Sequence, residues 1–387
     1  MKYMGSKRKL LKKGLGDLLR QEMRKASRFV DLFSGSGVVS RFVASRFKKK
    51  VISVDLQLFS SVISAAYICR TRKIKGSIIV GTWIETAKRD YDNSRERAVV
   101  DEWFDSCGRK KLFKKDVLFA RKLCAMHICD GVTWNAYGGY YLSPRQALQV
   151  DCLLRTLPSE FRMECLAALI STVSKTVAAP GHTAQPFQPT RDALPYIEEA
   201  WRRDVFCGVE RDFKEIAKRH SRVCGQVVCG DAQTFVDEQL QDGDLVFIDP
   251  PYSGVQYSRF YHVLETVAKR TRVTVSGKGR YPSFAERPQS AFSNKSTSEE
   301  AVEKLLAALS KKRVVAVITF PCELCSNGLS GRKIGEKARK LFEVTEIWRQ
   351  NDFSTLGGNN IIRDARQKTT ELILVLRPKK QHVVIKC

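Results

Sequence analysis

Apolar residues in the first 80 positions form short continuous runs separated by stretches with helical spacing. The runs 28–32 and 51–54 predict buried strands, and Ile78-Ile79-Val80 suggests a third strand. Apolar residues recur every third or fourth position in three segments, which predict helices: 6–24, 38–47 and 58–69. The resulting β-α-β-α order is typical of a parallel, doubly wound sheet.

The alternation of strands and helices resumes near residue 226, after the long, polar and mainly helical stretch 84–222. Apolar runs predict further strands at 226–229, 245–248 and 314–320 and a final hairpin-like pair at 342–349 and 370–376. Helical spacing recurs at 258–270 and 299–310, and the Gly-, Ser- and Arg-rich residues 274–298 predict a mobile basic loop. We therefore predict an α/β fold with a Rossmann-like, seven-stranded, mostly parallel sheet and a helical insertion.

The net charge of the chain indicates which class of binding partner to expect. Lys and Arg number 67 and Asp and Glu number 41, so the formal net charge is +26, spread along the whole chain. Such a field favours polyanions, nucleic acid first and an anionic membrane surface second. A merely soluble basic protein is the alternative that charge alone leaves open. Hydrophobic residues make up 43% of the chain, which supports a sizeable core and excludes a wholly disordered protein.

Membrane insertion and secretion are not expected from the sequence. No stretch approaches 18 uninterrupted apolar residues, and no apolar segment follows the basic residues 1–9. Several of the 12 cysteines, such as Cys69, Cys124 and Cys165, lie inside apolar runs and are expected to be reduced and buried. We expect a cytoplasmic protein with no membrane partner.

A glycine-rich turn, Asp31-Leu32-Phe33-Ser34-Gly35-Ser36-Gly37, joins the first predicted strand to a helix. Glycine permits a tight turn and close approach of a ligand to the backbone. Asp55 ends the next strand, where an acid can accept hydrogen bonds from both ribose hydroxyls of an adenosine-containing cofactor. Ser40 replaces the third glycine of the dinucleotide fingerprint, and Asp31 would repel a pyrophosphate. An acid at 31 suits a cofactor with an ammonium group, such as S-adenosylmethionine; an ordinary strand-helix turn is the alternative.

The tetrapeptide Asp249-Pro250-Pro251-Tyr252 directly follows the predicted strand 245–248, at the strand end where α/β sheets bind ligands. The two prolines remove two N–H donors and leave a carboxylate and a carbonyl as acceptors beside an aromatic ring. Two such acceptors can hold the N–H groups of an exocyclic amine such as adenine N6, so that its lone pair points at a methyl donor. Tyr252 would stack on the base. A rigid turn that caps the strand is the structural alternative.

Together and in this order, these motifs resemble the Dam-type adenine-N6 DNA methyltransferases. The matching pieces are the segment 2–7, the glycine turn 30–37, Asp55, the Gly-Asp pair 230–231 and the tetrapeptide 249–252. The combination is highly specific, although no single piece is. The resemblance implies transfer of a methyl group from S-adenosylmethionine to adenine N6 in double-stranded DNA, on a base flipped out of the duplex and without a metal.

The resemblance also assigns roles to the matched residues. By it, the cofactor is held by Tyr3, Lys7, Asp31, Phe33, Gly35, Gly37, Asp55, Asp231 and Asp249. Within this set Asp31 and the two glycines line the methionine end, Asp55 holds the ribose and Asp231 holds the adenine. The same resemblance gives the target base to Asp249, Pro250 and Tyr252.

A catalytic domain of residues 1–83 and 223–387 follows from this assignment, with 84–222 as an inserted, mainly helical target-recognition region. The expected role is bacterial or phage DNA modification, alone or with a separate restriction endonuclease as partner. Two alternatives stay open: the same chemistry on RNA, and a non-catalytic DNA-binding subunit.

Other groups of residues allow two interpretations each. Four aromatics either stack on DNA bases or form a tight corner: Trp134, Tyr137, Tyr140 and Tyr141. Arg280, Arg287 and Lys295 suit backbone phosphates or a solvated loop. The Pro-Cys-x-x-Cys pattern at 321–325 occurs in zinc nucleobase deaminases, but the chain offers no His-x-Glu at a suitable place, and we predict no zinc there.

Overall fold

The computed structural model describes residues 3–107, 111–354 and 366–379. The chain divides into two compact units, each assembled from pieces far apart in sequence. We call them the sheet unit (Gly5–Leu56, Ser221–Tyr257 and Gln289–Cys387) and the helical unit (Met1–Met4, Gln57–His220 and Ser258–Pro288).

The described ranges contain nine strands, numbered in chain order: β1 Arg28–Asp31, β2 Lys50–Asp55, β3 Gln226–Cys229, β4 Asp244–Ile248, β5 Val275–Ser276, β6 Tyr281–Pro282, β7 Val315–Pro321, β8 Phe342–Ser354 and β9 Arg366–Pro378. Seven of them form the sheet of the sheet unit in the order β3-β2-β1-β4-β7-β9-β8. The first five strands in this order are parallel, whereas β9 runs antiparallel to both β7 and β8. The predicted α/β fold with a seven-stranded, mostly parallel sheet is confirmed.

The strand order reverses direction at β1. From β1 the chain continues outward through β2 to β3 and then returns to place β4 on the other side of β1. A crevice opens at such a reversal, at the carboxyl ends of the two strands, and this is where open α/β sheets bind ligands. The residues that follow β1 and β4 are therefore the first candidates for a functional site.

The core of the sheet unit lies between the sheet and the helices that follow its strands. Val30, Val54, Val246 and Ile318 belong to a buried cluster that also contains Phe235 and Leu305 from the covering helices. The helices of this unit are Arg8–Leu10, Leu11–Leu15, Gly16–Met23, Val38–Ala44, Ala232–Gln239, Ser298–Lys311 and Gly331–Arg339, with a 3₁₀ turn at Ala291–Ser293.

The helical unit is built around the helix Arg162–Thr176, whose residues 164–174 are all buried. The other helices are Leu58–Ile68, Ser77–Asp92, Glu96–Cys107, Lys114–Met126, Trp134–Tyr137, Pro144–Arg155, Leu194–Trp201, Val205–Ala217 and His262–Lys269. The short helix Tyr257–Phe260 spans the residue at which the chain passes from one unit to the other. None of the helices in the described ranges has the length and apolar character needed to cross a bilayer.

The predicted strand at Ile78-Ile79-Val80 is wrong, because these residues begin the helix Ser77–Asp92. Its buried side chains recur at helical spacing: Val80, Trp83, Ile84, Ala87 and Tyr91. Ile78 is 78% exposed whereas Val80 is completely buried, so the three residues of the run do not all face the core. A short apolar run cannot by itself distinguish a strand from the first turn of a helix.

The predicted loop at 274–298 contains regular structure. Strands β5 and β6 pair antiparallel, with Val275 opposite Pro282 and Ser276 opposite Tyr281. The Tyr281 ring anchors this small hairpin against Arg259, whose guanidinium carbon lies 4.6 Å from the ring centroid. Aromatic anchoring gives order to a segment whose composition alone predicts a loop.

Candidate active site

The glycine turn lies at the carboxyl ends of β1 and β2. Gly35 and Gly37 have φ values of +49° and +65°, a left-handed conformation in which a side chain would be strained. The Gly35 amide donates a hydrogen bond of 2.7 Å to Asp55 Oδ2, and the Ser34 amide donates one of 3.0 Å to Val54 O. The turn is thus fixed to the end of β2, and Asp55 lies beside it.

Asp31, the last residue of β1, is a buried carboxylate with half of its hydrogen-bonding capacity unused. Ser40 Oγ donates to Asp31 Oδ2 at 2.6 Å, which accounts for a serine at the position of the third fingerprint glycine. Oδ1 is buried and has no hydrogen-bond partner among the described residues. Burial raises the Asp31 pKa to about 7; the hydrogen bond from Ser40 opposes this, and the charges of Asp249 and Asp55 add to it. A cationic ligand group would satisfy this carboxylate.

Asp249 follows β4, and both of its polar contacts are made by one oxygen. Lys7 Nζ lies 2.9 Å from Oδ1, and Thr319 Oγ1 donates a hydrogen bond of 2.9 Å to the same atom. No described residue donates to Oδ2, and the side chain is 16% exposed. Burial raises the Asp249 pKa to about 6, with Lys7 lowering it and Glu371 raising it. Oδ2 is therefore an acceptor available to a ligand.

Lys7 is a buried cation between two carboxylates. Besides Asp249, its Nζ lies 2.6 Å from Glu371 Oε1 on β9. Burial lowers the Lys7 pKa, but the charges of Asp249 and Glu371 outweigh burial and raise it above its ordinary value. The ammonium group is therefore permanently charged and holds Asp249 from the side of Oδ1.

The second of the two prolines after Asp249 is held by a buried asparagine. Asn327 Nδ2 donates to Pro251 O at 2.8 Å and to Phe292 O at 3.0 Å. No described residue donates a hydrogen bond to Pro250 O. Asp249 Oδ2 and Pro250 O are thus two acceptors in consecutive residues of a rigid turn.

Tyr252 is fixed by close neighbours within the sheet unit. Its ring meets Phe320 edge-on, with centroids 6.3 Å apart, and Lys7 Nζ lies 5.9 Å from its centroid. Gly5 has a φ of +71°, and a Cβ at this position would lie only 2.2 Å from the Tyr252 hydroxyl oxygen. Only glycine therefore lets the N-terminal segment pass this close to the ring.

The remaining residues predicted to hold the cofactor occupy different surroundings. Phe33 packs edge-on against Phe292, with centroids 5.0 Å apart. Asp231 caps the helix Ala232–Gln239 by accepting hydrogen bonds from Gln233 N and Thr234 N at 2.9 and 3.2 Å. It lies two residues beyond Cys229, the register partner of Asp55, so β2 and β3 bring these two acids to the same edge of the sheet. In the helical unit, Tyr3 stacks on Tyr261 with centroids 4.8 Å apart.

Sequence reasoning missed Glu371 and Thr319. Pro321 on β7 pairs with Glu371, and Thr319 pairs with Ile373, so antiparallel β9 places one of its early residues at the carboxyl edge of the parallel strands. Thr319 reaches Asp249 because Ile318 is the register partner of Ile248. Neither residue belongs to a local motif, and only the pairing of strands distant in sequence reveals them.

The aromatic group at 134–141 forms a tight corner in the core of the helical unit. Trp134, Tyr137 and Tyr141 are completely buried, and both tyrosine hydroxyls contact the His262 ring nitrogens at 3.1 and 3.3 Å. Burial is the main cause that lowers the His262 pKa to about 3, so this imidazole is neutral. Stacking of these three aromatics on DNA is excluded by their burial.

Two partly exposed tyrosines lie between arginines on the same unit. The Tyr140 ring contacts the guanidinium groups of Arg121 and Arg280 at 4.5 and 4.4 Å, measured from the guanidinium carbon to the ring centroid. Tyr281 contacts Arg259 and Arg287 at 4.6 and 5.7 Å in the same way. We call these six residues the arginine–tyrosine cluster. Arginines stacked on aromatic rings, together with a large positive net charge, suit a nucleic acid backbone.

Comparison with known proteins agrees with the geometry. The profile of the D12 class N6 adenine-specific DNA methyltransferases matches residues 3–129 and 208–317, more than half of the chain. The modification methylase LlaI of Lactococcus lactis subsp. lactis is 25% identical over 328 residues, which cover 81% of this chain and 45% of the relative. The chain thus spans less than half the length of that relative. The resemblance found in the sequence is confirmed: this chain belongs to the D12 class N6 adenine-specific DNA methyltransferase family.

Proposed function

We propose that this protein transfers a methyl group from S-adenosylmethionine to the N6 amino group of adenine in double-stranded DNA. The observation that carries the proposal is the pair of acceptors at the end of β4, Asp249 Oδ2 and Pro250 O, to which no described residue donates a hydrogen bond. Family membership supports the same reaction.

The cofactor supplies an activated methyl group on a sulfonium centre, and the residues at the ends of β1 and β2 fit it. Asp31 Oδ1, which is buried without a partner among the described residues, would hold the cofactor's ammonium group. Asp55 would hold the ribose hydroxyls, and Asp231 the adenine. Gly35 and Gly37 add no side chain that would keep a ligand away from the backbone at these two positions, and Phe33 would bound the turn on one side. Tyr3 and Lys7 remain predicted contacts of the cofactor.

The acceptors at 249 and 250 would activate the target amine. Adenine N6 is a poor nucleophile because its lone pair is delocalised into the ring. Hydrogen bonds from its two N–H groups to Asp249 Oδ2 and Pro250 O would favour a tetrahedral nitrogen whose lone pair points at the methyl carbon. As the N–C bond forms, the bond between the methyl carbon and the sulfonium sulfur would break and positive charge would develop on N6. The Asp249 carboxylate would stabilise this charge, and N6 would then release one proton to solvent. Tyr252 would hold the base plane by stacking.

Contact with DNA is assigned to the helical unit. The arginine–tyrosine cluster and the exposed Lys278, next to β5, supply cations for backbone phosphates. The family match is interrupted between residues 130 and 207, inside the predicted recognition region 84–222. We propose that this region reads the target sequence and that residues 1–83 and 223–387 carry out catalysis.

The direct test is methyl transfer by the purified chain. Tritiated S-adenosylmethionine is supplied with duplex DNA or with structured RNA, and the product is digested and analysed for N6-methyladenine. Label in duplex DNA, lost in Asp249→Ala, supports the proposal. Label in RNA alone would identify RNA as the substrate in place of DNA. DNA binding without any methyl transfer would identify a non-catalytic binding subunit.

We further propose a cytoplasmic role in DNA modification beside a separate restriction endonuclease. The name of the LlaI relative, a modification methylase, supports this role. Genomic DNA from cells expressing the chain would resist the endonuclease that reads the mapped methylation site. Cleavage of fully methylated DNA by that nuclease would contradict the pairing.

A further inference from the structure

A buried carboxylate behind the proposed site has no role in the reaction described so far. Glu371 on β9 is 4% exposed and lies outside the residues matched by the family profile. Its Oε1 lies 2.6 Å from Lys7 Nζ, the same ammonium group that contacts Asp249. Burying a carboxylate is costly unless it is paired, and this one is ion-paired with a cation that also holds Asp249.

Three charges are therefore arranged in the order Glu371, Lys7 and Asp249. Lys7 contacts Oδ1 of Asp249 at 2.9 Å, and Thr319 donates to the same oxygen. An ammonium group attracted by Asp249 alone would be equally well placed between its two carboxylate oxygens. The second carboxylate, on β9, attracts the same cation at a distance of 2.6 Å.

We propose that Glu371 is a positioning residue: through Lys7 it confines the cation to Oδ1 of Asp249 and keeps Oδ2 open to the target amine. This inference rests on the proposed function. The three groups together carry one excess negative charge, which also favours the positive charge that develops on the amine. Replacing Glu371 by Gln leaves one carboxylate and one cation, so Lys7 neutralises Asp249 and competes with the base for its acceptor.

The predicted consequence is specific to catalysis. In Glu371→Gln, kcat for methyl transfer falls about 10-fold or more, whereas KM for the cofactor and the affinity for DNA, measured by fluorescence anisotropy, change less than about 3-fold. Glu346→Gln on the neighbouring strand β8 is the matched control, because Glu346 is ion-paired with Arg339. Its kcat stays at the wild-type value. A Glu371→Gln variant with wild-type kcat overturns the inference.

The pH profile separates positioning from mere structural support. The charged or titratable groups that interact with Asp249 are Lys7, Glu371, Asp31 and Tyr257. Glu371 contributes to raising the Asp249 pKa, so its removal moves the acidic limb of kcat from near pH 6 to lower pH. A kcat that falls while the limb stays in place, together with a lower unfolding temperature, would indicate structural support and overturn the inference.

A double-mutant cycle with Lys7→Gln tests whether Glu371 acts on Asp249 through Lys7. If Glu371→Gln alone does not fold, the comparison made in the Lys7→Gln background replaces it. Because Glu371 acts through Lys7, adding Glu371→Gln to Lys7→Gln should change kcat less than 2-fold. An undiminished loss in the Lys7→Gln background would overturn the inference. Absence of transfer by the wild type would overturn the proposed function itself and this inference with it, whereas active wild type with an unaffected Glu371→Gln overturns the inference alone.

Discussion

Two carboxylates, one buried and one partly buried, lie at the ends of neighbouring parallel strands, and the protein surrounds them differently. Asp31, at the end of β1, receives one hydrogen bond and has an oxygen without a partner among the described residues. Asp249, after β4, receives an ammonium group and a hydroxyl on a single oxygen. Burial raises both pKa values, to about 7 for Asp31 and to about 6 for Asp249.

The difference shows which charge the protein supplies and which it leaves to a ligand. Asp249 carries its own counter-ion, so it remains an acceptor whether or not a cofactor is bound. Asp31 lacks one and is costly in the ligand-free protein near neutral pH, because an uncompensated carboxylate is buried there. A cationic cofactor would remove this cost, so part of its binding free energy would come from relief of the uncompensated charge.

The largest expected effect comes from removing the carboxylate that is proposed to touch the base. Asp249→Ala should lower kcat for methyl transfer by about 10²- to 10³-fold, because both the acceptor and the negative charge are lost. Radiolabelled methyl incorporation into DNA measures this. Asp242→Ala is the control and should keep wild-type activity, because Asp242 is exposed and precedes the amino end of β4, whereas Asp249 follows its carboxyl end. Equal activity of the two variants would remove Asp249 from the mechanism.

Asp31→Asn should change cofactor binding and protein stability in opposite directions. Its cofactor affinity falls about 10- to 100-fold, because a charge-assisted contact is lost; calorimetry measures this. In the wild type without ligand, folded Asp31 keeps a proton up to pH 7 that the unfolded chain releases near pH 4, so the free energy of unfolding falls as pH rises through this window. Asp31→Asn lacks that fall and should be more stable at pH 8, on the order of 2–4 kcal/mol.

The pH dependence of unfolding decides this second prediction. Denaturant titrations at pH 5 and pH 8 give the free energy of unfolding of wild type and variant. A variant that is less stable than the wild type at both pH values would show that the buried carboxylate is not a cost to the fold.

A smaller effect on activity is expected when an added side-chain atom displaces Tyr252 beside Asp249. Gly5→Ala places a Cβ against the Tyr252 hydroxyl at a φ of +71°, so Tyr252 must move and kcat/KM should fall about 10-fold. Gly81→Ala is the matched control, because a Cβ there meets nothing within 4 Å and the residue is helical. That substitution should leave activity unchanged, and the free energy of unfolding should stay the same or increase slightly. Loss of activity in both would assign the effect to general destabilisation.

The smallest expected effect lies outside both carboxylate sites. Lys278→Ala in the helical unit removes an exposed charge and should weaken DNA binding about 2- to 3-fold while kcat at saturating DNA stays unchanged. The slope of log affinity against log salt should decrease in magnitude by about 1. Binding measured at several salt concentrations tests this, and an unchanged slope would remove Lys278 from the DNA interface.

Local sequence signals predicted most of the sheet and its principal motifs. Short apolar runs marked β1, β2, β3, β4 and β7. The acids at or directly after strand ends, Asp31, Asp55 and Asp249, were expected to meet at one edge of the sheet. Ile78-Ile79-Val80 was misassigned because three residues cannot distinguish the two periodicities. The aromatic group at 134–141 needed tertiary burial to decide between stacking and packing.

Non-local pairing accounts for what sequence could not predict. Glu371 is 122 residues beyond Asp249, and it shares Lys7 with that residue because β9 pairs antiparallel with β7. Lys7 was predicted from a resemblance, but its position between two carboxylates depends on three segments distant in sequence. Contacts of this kind leave no local periodicity or motif to detect.

The reversed direction of β9 has a consequence for interpreting related genes. A copy that keeps every recognisable motif but ends before residue 366 would lose a strand at the centre of the antiparallel edge and, with it, the partner of Lys7. Such a copy would still be identified as a methylase by the matched residues 3–129 and 208–317. On the proposed role of Glu371, intact motifs would not suffice to infer a working enzyme, and the sheet's last strand should be inspected as well.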